Sequence, residues 1–201
     1  MIRMPAMDVE ARRRFEDLAL PHLKSLYQFA LRVTGTAGTA EDLVQETFLK
    51  AIEQFPTLRD PARFKAWLFR ILSRLAIDRR RGEARQVPVQ VTEDIDRFSL
   101  YDLIWEEDPL PYSDHLHEDF LARFRDEEVR AALLALPEAY LVPLLLVYLE
   151  GMKYRELAEI LDLPMGTVMS RLHRGRKILE RQLWECAKQR GLVKTWKKPS
   201  D

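Results

Sequence analysis

Basic side chains set at helical spacing are the chemistry this chain offers most plainly. Arg171, His173, Arg174, Arg176 and Lys177 crowd one segment, together with Met169 and Ser170. Val168, Leu172, Ile178 and Leu179 fall between them at positions that would face inward. Met169, Ser170, His173 and Arg174 stand at i, i+1, i+4 and i+5, on one face of a helix. Arg174 and Ser170 carry donors suited to base edges. Met169 and His173 suit apolar or water-mediated contacts, and Arg171, Arg176 and Lys177 suit phosphates. From Met169 onward there are ten Lys/Arg against three acids. A merely solvated helix face, the alternative reading, mixes its signs, whereas a polyanion partner needs one sign.

The segment upstream supplies the element that would position this face. Leu157, Ala158, Ile160 and Leu161 form an apolar stripe, and Asp162-Leu163-Pro164 interrupts it. Pro164 suits the start of a new helix, where a missing N–H is no loss. Thr167 then lies just inside the second helix, after Gly166. A helix, a tight turn and a basic helix make a helix-turn-helix whose second helix enters the DNA major groove.

A second constellation lies in the first half of the chain. The loop from Phe55 to Arg63 carries Arg59 and Asp60, and Phe64, Trp67, Arg70, Arg74 and Arg79 follow on a helix expected over Ala62–Arg81. Aromatics interleaved with arginines at a loop–helix junction suit single-stranded nucleic acid, with bases on rings and phosphates on cations. The loop would hold an unstacked base. The alternative is that the rings are core. Trp67, in mid-stripe, favours that alternative, and for Phe64 and Phe69 the two readings are balanced. The preceding helix has Ala40, Leu43, Val44, Thr47, Phe48, Ala51, Ile52 and Phe55 at unbroken three-four spacing. Thr39 is the expected cap. Asp42, Gln45, Glu46, Leu49, Lys50 and Glu53 are left outward.

Other chemistries find little support. The single cysteine, Cys186, excludes an internal disulfide and a multi-cysteine metal site, and fits a reducing cytosol. Asp114-His115-Leu116-His117-Glu118 has metal-ligand types, but it falls in an expected linker with no scaffold to fix geometry. There is no phosphate-cradling glycine loop and no nucleophile motif. The expectation is no enzyme, no cofactor and no metal. The longest apolar run, Leu141–Leu149, contains Pro143 and is too short to span a bilayer. A soluble, cytoplasmic protein without membrane insertion is expected.

Charge is unevenly distributed although the total is zero. Residues 1–91 carry sixteen basic and eleven acidic groups, residues 92–119 one and ten, and residues 120–201 fifteen and eleven. Two basic modules joined by an acidic strap follow. The fold expected is all-α: two small helical domains, residues 10–85 and 119–190, joined by a flexible acidic linker over 86–118. Within the first, a helix over Arg12–Val33 is kinked or divided at Pro21, and Thr34–Thr39 is a turn cluster. The linker holds a short turn around Leu100–Trp105. The second domain holds a helix to Leu136, another over Glu138–Leu149 ended by Gly151, and the helix-turn-helix. Val193–Asp201 reads as a basic tail.

Together these residues resemble the ECF (extracytoplasmic-function) sigma factors, which keep only regions 2 and 4 of the sigma architecture. Glu41-Asp-Leu-Val-Gln-Glu-Thr-Phe48 resembles the family's helix that binds core RNA polymerase. Phe64–Ile71 and Asp78-Arg79-Arg80-Arg81 are similar to its promoter-melting and −10-reading segment. Leu136–Gly151 with Tyr154–Lys177 resembles region 4, which reads the −35 element. The resemblance implies that Asp42, Gln45, Glu46, Leu49 and Lys50 dock on bacterial core polymerase, and that Arg59, Asp60, Arg63, Phe64, Trp67, Arg70, Arg74 and Arg79 serve melting and the −10 element. Thr167, Met169, Ser170, Arg171, His173, Arg174, Arg176 and Lys177 would serve the −35 element. It also implies an anti-sigma protein as partner, a stress-responsive regulon and a linker threaded through the polymerase's RNA-exit path. Met169 departs from the Lys or Arg common in the family. It can meet a thymine methyl but not guanine in a bidentate pair. A response regulator with a helix-turn-helix output is the competing class. It would need an α/β receiver, and the first 85 residues are helical and basic.

Overall fold

Eight α-helices, and no strands, make up the described part of the chain, which in this computed structural model is residues 8–84 and 126–189. They are α1 (Val9–Ala19), α2 (Leu23–Thr34), α3 (Ala37–Gln54), α4 (Phe64–Ala84), α5 (Asp126–Leu134), α6 (Glu138–Tyr148), α7 (Tyr154–Leu161) and α8 (Met165–Gln189). Segments 86–118 and 193–201, with the 114–118 cluster and the turn at 100–105, lie outside the described residues.

Pro21 divides the first expected helix rather than kinking it. A single 3₁₀ turn, Leu20–His22, separates α1 from α2. The turn cluster after α2 shrinks to Gly35 and Thr36. Gly35 takes the left-handed conformation, φ 80°, and its N–H reaches Leu31 O at 2.9 Å. One residue of that kind reverses the chain, so α3 starts at Ala37. Thr36, not Thr39, is therefore the cap position, and the Thr39 hydroxyl turns back to Thr36, with its Oγ1 2.6 Å away. The α3 stripe behaves as its spacing requires: Ala40, Leu43, Val44, Thr47 and Ala51 are buried. Thr47 satisfies its buried hydroxyl by donating to Leu43 O at 2.7 Å.

Helix α6 is buried over Leu141–Leu146, on all sides rather than along a stripe. Such a helix must be enclosed. It packs on α8 and α7, and also on α2 and α4 of the first group. The two helical groups are thus seated on each other, and their buried apolar residues form one connected cluster. Leu134 of α5 touches the bare Cα side of Gly35; a Cβ there would lie 2.9 Å from Leu134 Cδ1. Arg80 of α4 ties three chain segments, donating to Val33 O at 2.9 Å, Leu134 O at 3.0 Å and Leu136 O at 2.8 Å.

Candidate nucleic-acid interface

The helix-turn-helix forms as its sequence dictates. Helix α7 ends at Asp162, whose positive φ of 55° lets Leu163 N reach Ala158 O at 3.0 Å. Pro164 O accepts from Thr167 N at 2.9 Å and Val168 N at 3.1 Å, starting α8. Val168, Leu172, Gly175, Leu179 and Leu183 are buried at three- and four-residue steps, with Ile178 beside them. Gly175 allows a close approach to α6: a Cβ there would meet Leu144 Cδ1 at 3.0 Å and Tyr140 Cβ at 3.2 Å. That packing leaves Met169, Ser170, His173 and Arg174 exposed, with Met169 at 54% of its full surface. Thr167, Arg171 and Lys177 are half-buried at the flanks. Ser170 uses its hydroxyl hydrogen on Thr167 O at 3.0 Å, so toward a ligand it can accept.

Arg176 departs from the expectation that it reaches outward to phosphate. Its guanidinium lies over the Tyr148 ring, 5.6 Å from the centroid, and Nη2 donates to Tyr154 Oη at 3.2 Å. Burial pushes the Tyr148 phenol up, against the pull of Arg176. A neutral phenol ring is the right partner for a cation on its face. The cause is helical phase: Arg176 follows Gly175, which is packed against Tyr140 and Leu144 of α6, and turns toward the α6–α7 corner.

The second site surrounds the loop between α3 and α4. Two 3₁₀ turns, Phe55–Thr57 and Pro61–Arg63, shape it. Asp60 Oδ1 accepts from Ala62 N at 3.0 Å, so part of its carboxylate holds the loop. A cavity of about 420 Å³ opens beside it, lined by Leu58, Arg59, Asp60, Arg63, Trp67 and Arg70, and on the far wall by Glu159 and Ile160 of α7. An adjoining cavity of about 310 Å³ shares Trp67 and Arg70 and adds Lys50, Gln54, Arg74 and Asp78. Trp67 is half-buried: it packs on the core and presents an edge to both cavities. Its two readings are compatible.

Phe64 does not belong to this surface. It is 2% exposed, in edge contact with Phe15 at 5.9 Å and stacked on His22 at 6.2 Å. Phe69 is fully buried against Phe29. Both are core, because α1 and α2 arrive on the side of α4 they face. Arg79 also turns inward to α3, donating to Thr39 O at 2.9 Å with Glu46 at 3.7 Å. On α3, Asp42 and Gln45 are exposed and Leu49 is half-buried. Glu46 is engaged by Lys50 at 3.3 Å as well as by Arg79, and Lys50 lines the second cavity. The five residues expected to act as one docking face are therefore split between an open edge and an ion-paired corner.

Sequence reasoning missed the residues that join the two groups. Arg63 pairs with Glu159, Lys65 Nζ with Glu150 at 3.1 Å, and Arg81 Nε with Glu138 at 3.1 Å. His22 lies near the middle pair; burial first, then the Lys65 charge, lowers its pKa from the ordinary 6.5, with Glu150 opposing. Among the described residues no cluster of His, Cys, Asp and Glu could hold a metal, and no helix is long and apolar enough to cross a membrane.

Comparison with known proteins agrees with this geometry. The family described as Sigma-70 region 2 matches residues 18–86, and that described as Sigma-70, region 4 matches residues 126–179. The chain is 34% identical to the ECF RNA polymerase sigma factor SigE of Mycolicibacterium smegmatis, over 86% of this chain but 62% of that protein, so it spans less than two thirds of it. It is 31% identical to the ECF RNA polymerase sigma factor SigW of Bacillus subtilis, over 84% of this chain and 88% of that protein. Among solved structures it resembles the sigma factor RpoE in complex with the anti-sigma factor NepR from Bartonella quintana. The TM-score is 0.61 at 25% identity, covering 86% of this chain and 98% of that one.

Proposed function

The chain belongs to the ECF RNA polymerase sigma factors, and from that premise we propose how its residues divide the work of promoter recognition. The open edge of α3, Asp42, Gln45 and Leu49, docks on core polymerase, with Glu46 and Lys50 at its flank. The loop Phe55–Arg63 and the two cavities beside it take the non-template strand at the −10 element. An unstacked base enters beside Asp60 and Trp67 while Arg59, Arg63, Arg70 and Arg74 meet phosphates. Helix α8 enters the major groove at the −35 element. Arg174 and Ser170 read base edges, Met169 and His173 make apolar or water-mediated contacts, and Thr167, Arg171 and Lys177 meet the backbone. Residues 10–85 and 119–190 are the two working domains and 86–118 the acidic linker between them. The work is done in the cytoplasm, where promoter DNA is, and opening the duplex draws on binding energy, without nucleotide hydrolysis. The structural relative crystallised with an anti-sigma factor supports a restraining partner of that class, and a stress-responsive regulon accords with it.

The observation that carries the reading is the exposure of Met169, Ser170, His173 and Arg174 on one side of a helix whose other side is buried. The test is transcription in vitro with purified core polymerase and a genomic DNA pool, mapping start sites. A shared −10/−35 pair upstream of the starts is expected. Substitutions in Leu58–Asp60 should change the −10 preference, and Arg70→Ala should lower binding evenly. Starts that share no upstream elements would overturn the reading.

A further inference from the structure

Resting on the assignment of α8 to the −35 duplex, we propose that the Tyr154 hydroxyl, held by Arg176 beside the Tyr148 ring, is a neutral clamp for one phosphate of the duplex backbone. Arg176 follows His173 by three residues and Met169 by seven, so it continues their edge of the reading face, while Ser170 and Arg174 form the other edge. Its guanidinium does not extend along that edge. It lies over the Tyr148 ring at 5.6 Å, and Nη2 donates to Tyr154 Oη at 3.2 Å. The phenol of Tyr154, the first residue of α7, is thereby fixed beside the edge. A major groove is about 12 Å wide, so the border of a helix seated in it meets sugar and phosphate rather than bases.

The hydroxyl is set to donate outward. Its oxygen accepts from Arg176, and among the described residues nothing accepts its hydrogen. Tyr154 is 37% exposed, so an outside acceptor can reach that hydrogen. A cation on the oxygen's lone pair makes the O–H a stronger donor, and a phosphate oxygen is an acceptor that tyrosine hydroxyls serve. Arg176 itself is spent inside the corner: among the described residues it has no ion pair, and its Nε is buried without an acceptor. A corner built for stability alone would carry an apolar side chain there, since a half-buried charge without a carboxylate costs free energy. Arg176 is therefore a positioning residue, acting through Tyr154. Lys153 and Arg155, the sequence neighbours of Tyr154, are exposed cations. The acid closest in sequence, Glu156, turns back to accept from Lys153 N at 2.7 Å.

The test measures binding of the full chain to a duplex pool randomised at the −35 element, by fluorescence anisotropy across a salt series and by sequencing the bound fraction, with each variant shown to be folded by circular dichroism. Tyr154→Phe keeps the ring and removes the hydroxyl. Affinity should fall about three- to tenfold, the size of one hydrogen bond, at every salt concentration. The salt slope and the selected sequence should stay as in the wild type, because a neutral donor releases no counterion and reads no base. Arg176→Ala should lower affinity similarly, and adding it to Tyr154→Phe should change little more, a coupling that a purely structural Arg176 would not give. Unchanged affinity in Tyr154→Phe overturns the clamp. A slope lower by about one means that a cation was displaced, and an altered selected sequence means that Tyr154 reads a base; either also overturns it. Arg174→Ala in the same assay separates the clamp from the assignment beneath it. Should Arg174→Ala leave the selected sequence unchanged, α8 does not read the −35 element and the clamp falls with that reading. A relaxed sequence in Arg174→Ala beside an unaffected Tyr154→Phe removes the clamp alone.

Discussion

Replacing Arg80 with methionine separates two roles that its place in Asp78-Arg79-Arg80-Arg81 confounds. Its place in a basic run suggests one more cation facing phosphate, although it is not among the residues assigned to DNA. In the structure it is half-buried, and its Nη1 and Nη2 serve three carbonyls, of Val33, Leu134 and Leu136, at 2.8–3.0 Å. These lie at the C-terminal ends of α2 and α5, where carbonyls lack helical partners and carry partial negative charge. Methionine keeps most of the apolar stem and removes the donors. A hydrogen bond to a charged group contributes about 1.5–3 kcal/mol, and partial exposure puts these at or below the low end, because water replaces some of what is lost. The expected loss is about 3 kcal/mol, a large part of the roughly 5–15 kcal/mol typical of a folded domain. For a chain of this size the thermal midpoint should fall by about 6–12 °C. Thermal melts followed by helical circular dichroism measure the midpoint, and urea denaturation the free energy. Because the lost bonds join the two groups, the wild type should unfold in one transition and the variant in two. A stability change below about 0.5 kcal/mol, the range of ordinary surface substitutions, combined with a weaker salt dependence of DNA binding, would refute the structural role and point to a phosphate contact instead.

Three further outcomes follow from the geometry. Gly175→Ala places a Cβ 3.0 Å from Leu144 Cδ1; overpacking of about 1–3 kcal/mol outweighs a helix-propensity gain of up to about 1 kcal/mol, so a melt should show a net loss, with −35 duplex affinity falling as α8 is displaced. Arg174→Ala should relax preference at one position of a randomised −35 library, whereas Arg176→Ala, removing the contacts with Tyr148 and Tyr154, should leave the salt slope unchanged and lower the melting midpoint by the equivalent of about 1 kcal/mol. The folded pKa of His22 lies below its ordinary 6.5, so unfolding takes up a proton; stability should be full above about pH 6.5 and decline as pH falls from there toward the folded value, and urea midpoints in His22→Gln should lose that part of the slope.

The all-helical class, the α3 stripe and the helix-turn-helix were legible because each is a local pattern. Leu157, Ile160, Val168 and Leu172 are within one supersecondary unit, and no distant element changes which side they bury. Phe64 was not legible. An aromatic beside arginines looks the same in sequence whether its face meets solvent or Phe15, Phe55 and His22, and only the arrival of α1 and α2 decides it. Arg79 and Arg176 failed for the same reason: cation count predicts a basic surface but not which guanidinium a neighbouring carbonyl or ring takes. The seat of one group on the other was least legible of all. Arg63 and Glu159 are 96 residues apart, and Glu138, Glu150 and Glu159 lie on two helices and the turn between them, so no single helical stripe marks them.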